Sequence, residues 1–109
     1  MTDPITARDA RGGGEDEYYA GRARACADMT EDCKRRAQMH AATRREDLAL
    51  EDAATAASLA RATAGFARIV ERLSNDTNLV SNARVLVKLA WSHAISAGHA
   101  AGVLPEDLW

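Results

Sequence analysis

Apolar residues along this chain recur with a helical period that begins at about Tyr18 and is missing before it. Projected at about 100° per residue, Tyr18, Tyr19, Ala25, Cys26, Met29, Cys33, Ala37 and His40 fall on one stripe. This predicts a first helix from Glu15, where Glu15, Asp16 and Glu17 place negative charge at the positive end of the helix dipole. The pattern permits a break near Thr30. Thr43-Arg44-Arg45-Glu46 matches a capping box, in which a threonine hydroxyl and a glutamate satisfy each other's free backbone amides, and sets the start of a second helix near Thr43. That helix is expected to run to Leu73, where Ser74, Asn75, Asp76, Thr77 and Asn78 compete for backbone hydrogen bonds. A third helix is expected from about Leu79 to Ala97, ended by Gly98 or Gly102.

The stretch Ser58 to Leu73, "SLARATAGFARIVERL", resembles the DNA-reading unit of helix-turn-helix repressors, with an alanine, a glycine and a later valine in order. Phase decides between that unit and one unbroken helix, because a turn resets the rotational register. Taking Leu48 as origin, Leu59, Phe66, Ile69, Val70 and Leu73 all lie within about 60° of it, while Arg61, Arg68 and Arg72 gather on the far side. One continuous amphipathic helix is the expectation. A DNA-binding regulator is the alternative.

The third helix carries large apolar residues over more than half its circumference: Leu79, Leu86, Val87 and Ala90 on one side, Val85 and Leu89 on another, Trp91 and Ile95 beyond. Such a helix is covered from two sides. Either it is sandwiched by the other two in a monomer, or a second subunit supplies the cover. Val85, Leu89, Trp91 and Ile95 are the expected oligomer interface.

Composition narrows the class. In 109 residues, 47% are hydrophobic but only 5% aromatic, so the core must be built mainly of alanine and a few larger aliphatics, and self-association is a common source of the missing stability. A net charge of −2 gives no bulk attraction for nucleic acid or an anionic membrane, and nucleic acid is the less favoured partner. The two cysteines make no disulfide framework and no zinc spacing. The N-terminal segment has no apolar run of signal-peptide type, and no stretch is long enough to span a bilayer; the expected location is the cytoplasm.

The candidate chemistry is sparse. Cys26, Cys33 and His40 are spaced by sevens and share a face, but successive members stand ~10 Å apart along a helix, too far to bind one metal. Arg35 and His40 form an Arg-x4-His string, which resembles the catalytic string of the HEPN ribonuclease superfamily, with Arg36 in place of the polar residue usual after the arginine. The resemblance implies histidine in proton transfer and arginine on the phosphate. Glu31-Asp32, Glu46-Asp47 and Glu51-Asp52 read as solvated faces, with a nucleic-acid-mimicking surface as the minority reading. Lys34, Arg35, Arg36, Arg44 and Arg45 cluster around the bend between the first two helices. No glycine-rich phosphate loop or nucleophile elbow is present.

The expected architecture is all-α: a flexible arm over residues 1–14, a three-helix hairpin or bundle over 15–104, and a tail over 105–109. The expected function is a small non-enzymatic protein-interaction module, an adaptor, inhibitor or assembly factor in the style of phage and mobile-element accessory proteins, acting as a homo-oligomer without cofactor or metal. Its expected anchors are Arg35, Arg36, Arg44, Arg45, Trp91 and Trp109, since aromatic and arginine side chains dominate interface energetics.

Overall fold

The computed structural model describes residues 14–103. They form three α-helices, α1 (Glu15–Ala42), α2 (Glu46–Leu73) and α3 (Thr77–Ala101), with no strand among the described residues. Each helix packs on both others. The short links at 43–45 and 74–76 make consecutive helices antiparallel, so α1 and α3 run the same way. The arm up to residue 13 and the tail from residue 104, Trp109 included, lie outside the described residues.

The core is made of alanine. Among the described residues 17 hydrophobic ones are buried, 13 of them Ala and the others Cys26, Cys33, Val70 and Leu86. Along α2 the buried positions Ala49, Ala53, Ala56, Ala60, Thr63, Ala67 and Val70 alternate in steps of three and four, the spacing that keeps one seam of a helix facing its neighbours. Matching seams run through Ala23, Cys26, Thr30, Cys33 and Ala37 on α1 and through Ala83, Leu86, Ala90, Ala94 and Ala97 on α3. Small side chains allow the backbones to approach closely, and alanine also has the highest helix propensity. The two buried threonines keep the seams self-sufficient. Thr30 Oγ1 donates to the Cys26 carbonyl at 2.8 Å and Thr63 Oγ1 to the Leu59 carbonyl at 2.8 Å, so neither needs a partner across the core.

The seams share Cys26, Cys33, Ala37, Val70, Leu86 and Ala90 with the stripes read from sequence but turn away from most of the large apolar residues. On α1, Tyr18 is 60% exposed and Met29 46%; on α2, Leu73 is 48% exposed, and Leu48, Leu59, Phe66 and Ile69 are half-buried. Bulky groups on the line of closest approach would push the helices apart, so they lie on the flanks. At the end of the bundle holding the 74–76 link the core changes character. There Tyr19, Leu79, Val80 and Val87 pack around Ala67, Val70 and Ala83. Tyr19 stacks on Phe66 with ring centroids 6.0 Å apart, and the Arg22 guanidinium lies 5.4 Å from the Phe66 centroid.

Three local expectations are revised. Helix α1 runs unbroken through Thr30. The capping box does not form: Thr43 Oγ1 donates to the Met39 and His40 carbonyls at 3.0 and 3.2 Å, closing the end of α1 instead of opening α2. The chain turns there by a Schellman pattern, with Arg45 N–H donating to the His40 carbonyl and Arg44 N–H to the Ala41 carbonyl. This places Arg44 in the left-handed region at φ 61°, a conformation that costs a non-glycine residue about 1–2 kcal/mol. Helix α3 begins two residues earlier than expected, at Thr77, because the Asp76 carboxylate accepts from the Asn78 and Leu79 amides at 2.9 and 3.3 Å. It ends at Gly102, also left-handed at φ 74°, while Gly98 is buried inside the helix.

Residues 58–73 lie within one helix, with no turn at Gly65. A Cβ added at Gly65 would meet nothing within 4 Å. Gly65→Ala is therefore expected to stabilise the fold by about 0.5–1 kcal/mol, measured by urea unfolding, because alanine removes the backbone-entropy cost of a mid-helix glycine. A loss of stability would mean that the backbone at Gly65 is not helical. Overpacking the seam should do the opposite: Ala56→Leu, at a position of zero exposure, is expected to cost about 1–3 kcal/mol. The same change at exposed Ala54 should stay within about 0.5 kcal/mol of wild type.

Candidate interaction face

Helix α3 places its alanine seam inward and a mixed surface outward. Val85 is 52% exposed and Leu89 47%. Trp91 and Ile95 are half-buried. Neighbouring contacts and helical phase fix the side each occupies. His93, four residues after Leu89, faces the α1 charges Glu31, Lys34 and Arg35, so Leu89 leans toward the α1 flank, while Val85 projects outward between Ser92 and Ser96 at about 100° per residue. Arg84, seven residues before Trp91, bonds to Glu71 of α2, so Trp91 and Ile95 stand on the α2 flank. The four residues expected as an oligomer interface spread across the outward side of α3, from Leu89 toward α1 to Trp91 and Ile95 toward α2, with Lys88, Ser92, Ser96 and His99 among them.

On the α2 side, Trp91 and Ile95 with Val87, Lys88, Ser92, Ser96 and His99 line a shallow groove of about 500 Å³. A second groove of about 330 Å³ lies between α2 and α3, lined by Ala64, Ala67, Arg68 and Glu71 on one side and Arg84, Val87 and Lys88 on the other. Val87 and Lys88 belong to both, so the two run together along α3. Arg84 grips Glu71 with Nη2 at 3.1 Å and Nε at 3.4 Å, and the guanidinium hydrogen bonds hold the Glu71 carboxyl below its usual range. Both side chains are solvated, so the pair orients the groove wall more than it stabilises the fold.

The basic cluster around the α1–α2 bend divides in the structure. Arg35 lies along α1, bonded to Glu31 at 2.8 Å and 3.7 Å from Asp32. Arg36 turns toward α2, with Nε 3.8 Å from Asp52 and Nη2 donating to Cys33 Sγ at 3.3 Å. Arg44 and Arg45 stand exposed at the bend itself. His40 Nδ1 is 2.6 Å from Asp52 Oδ2; a carboxylate only accepts, so that ring nitrogen carries the hydrogen. Arg36, and not Arg35, thus shares the carboxylate with His40, and the Arg35–His40 pair of the ribonuclease-like string does not converge. Asp52, read from sequence as part of a solvated acidic pair, is the partner sequence reasoning missed, because its contact crosses the hairpin.

Both cysteines are buried and free, and burial pushes the Cys33 thiol up against the opposing pull of Arg36. Among the described residues no three His, Cys, Asp or Glu side chains converge to hold a metal ion. Nor is any described helix long and apolar enough to cross a membrane. Trp109 falls outside the described residues. The groove residues Lys88, Ser92 and Ser96 were also missed from sequence. Their signal was the three-and-four spacing of small and basic residues on a helix that holds no Asp or Glu between Thr77 and Ala101.

His93 gives the pH dependence of this region. Burial, with Lys34 and Arg35 adding to it against the attraction of Glu31, lowers its pKa below the ordinary value of about 6.5. The unfolded chain then binds more protons than the folded one just below that value. Stability contributed by neutral His93 is fully present above about pH 6.5 and is lost as pH falls toward the folded pKa. In thermal melts between pH 8 and 5, His93→Gln is expected to lose stability less steeply than wild type. Parallel curves would show that His93 does not feel its burial. Compared with protein-family models, curated proteins and solved structures, this chain matches none.

Proposed function

We propose that the chain is a non-catalytic protein-interaction module, of adaptor, inhibitor or assembly-factor type, that docks its partner on the outward side of α3. The observation that supports this reading is the inversion of side-chain size. Alanine fills the interior, while Val85 and Leu89 remain about half exposed and Trp91 and Ile95 line an open groove. Exposed apolar surface set among polar residues is the usual mark of a docking site. A rigid three-helix scaffold also presents it with little ordering cost on binding. The self-association expected from the sequence would use these same residues.

The test is a photo-crosslinking amino acid in place of exposed Ser92, with exposed Ala54 on α2 as control, irradiated in an extract of the source cells. A discrete protein adduct at position 92, absent at position 54, resistant to nuclease and weakened by Leu89→Asp, is the expected result. An adduct of twice the chain's 11.7 kDa mass is the signature of self-association. A nuclease-sensitive adduct, or the same adduct pattern at both positions, overturns the reading.

A further inference from the structure

Resting on that docking reading, we infer that the occupant of the α2–α3 groove is an acidic amphipathic helix of a partner protein. Three observations carry it: charge, length and small residues.

Charge comes first. Helices α1 and α2 each hold more acidic than basic residues, although α3 holds Arg84 and Lys88 and no acid at all. Among the described residues the groove's only carboxylate is Glu71, and Arg84 already occupies both its oxygens. Arg68 and Lys88, both exposed, are left to set the sign of the surface, and Lys88 makes no ion pair among the described residues. The surface is therefore positive on a chain whose net charge is −2. A carboxylate-bearing partner gains from this field in both encounter rate and register. A second copy of the same face does not, because it would bring Arg68 and Lys88 toward their own duplicates with no free carboxylate to oppose them.

Length is the second observation. The joined grooves follow α3 from Arg84 to His99, about 22 Å at 1.5 Å per residue, which matches an incoming helix of about four turns. The third is the set of small residues. Ser92 and Ser96, four apart, line the surface beside Trp91 and Ile95, and Ala64 and Ala67 are small lining residues on α2. Small residues beside large apolar ones leave room for side chains projected at i, i+3, i+4 and i+7 by a docking helix.

The experiment is a displayed library of 16-residue amphipathic helices, with apolar residues at helical spacing and flanks randomised among Glu, Lys, Gln and Ser. It is selected on the full-length protein and counter-selected on Ser92→Trp, which fills the groove from an exposed position. Circular dichroism confirms that each variant folds. The expected outcome is a set of Glu-rich binders whose affinity falls as salt rises and falls at least tenfold on Ser92→Trp. With Arg68→Glu and Lys88→Glu combined, the preference should reverse to Lys-rich flanks. Groove-specific binders with no acidic preference, or no reversal, overturn the acidic partner and leave the docking face standing. Failure of any binder to distinguish wild type from Ser92→Trp overturns the docking face as well. A dimer in sedimentation that Ser92→Trp converts to monomer overturns the partner in favour of a second copy.

Discussion

Everything in this fold depends on how closely three helices can lie when the residues between them are alanines. A methyl side chain fills little space and excludes little water, so each seam position contributes only on the order of 1 kcal/mol of burial. Compensation comes from two properties of the same residue. Alanine gives nearly the full backbone propensity for helix, and its size allows the dispersion contacts of neighbouring backbones to form. A larger residue at Ala53, Ala56 or Ala60, all with no exposure, would gain area only by separating the helices that the rest of the seam holds together.

The position of the candidate site follows from that constraint. Because the seam has little room for bulk, most of the large apolar residues described, Val70 and Leu86 apart, lie on the flanks and the outside of the bundle. On α1 and α2 much of this bulk is used at the ends, in the stacking of Tyr19 on Phe66 and the cluster around Val70. On α3 it is not. Val85, Leu89, Trp91 and Ile95 lie among outward serines, Lys88 and His99, so packing economy inside and docking surface outside have one cause.

Polar contacts then set direction more than stability. The His40–Asp52 hydrogen bond and the Arg84–Glu71 pair each join α2 to a different neighbour, one near each end. They fix the rotational setting of helices whose alanine seams would tolerate sliding, since a smooth surface of methyl groups offers few knobs to lock register. Arg84 also removes the one carboxylate from the groove between α2 and α3, and leaves that wall positive. A contact that would pass as a minor surface ion pair thus decides the electrostatic sign of the candidate site.

The sequence by itself determined the number of helices, their approximate limits and the continuity of the second one, because those rest on local backbone preference. A 3.6-residue period, acidic first turns, the Ser74–Asn78 cluster and Gly102 act within a few residues of where they stand. It also determined that the core had to be small, since only 5% of the chain is aromatic. Tertiary structure decided how far the buried seam is rotated from the large apolar residues: the stripes held Cys26, Cys33, Ala37, Val70, Leu86 and Ala90 correctly, but not the alanines that complete each seam. The large apolar residues that dominate a helical projection are displaced from the seam by the closeness that alanine allows, so Tyr18, Met29 and Leu73 are exposed. It likewise decided that Thr43 closes one helix instead of opening the next, that Asp52 meets His40, and that Arg84 occupies Glu71. Each joins groups brought together only by the path of the backbone in three dimensions, which no local period encodes.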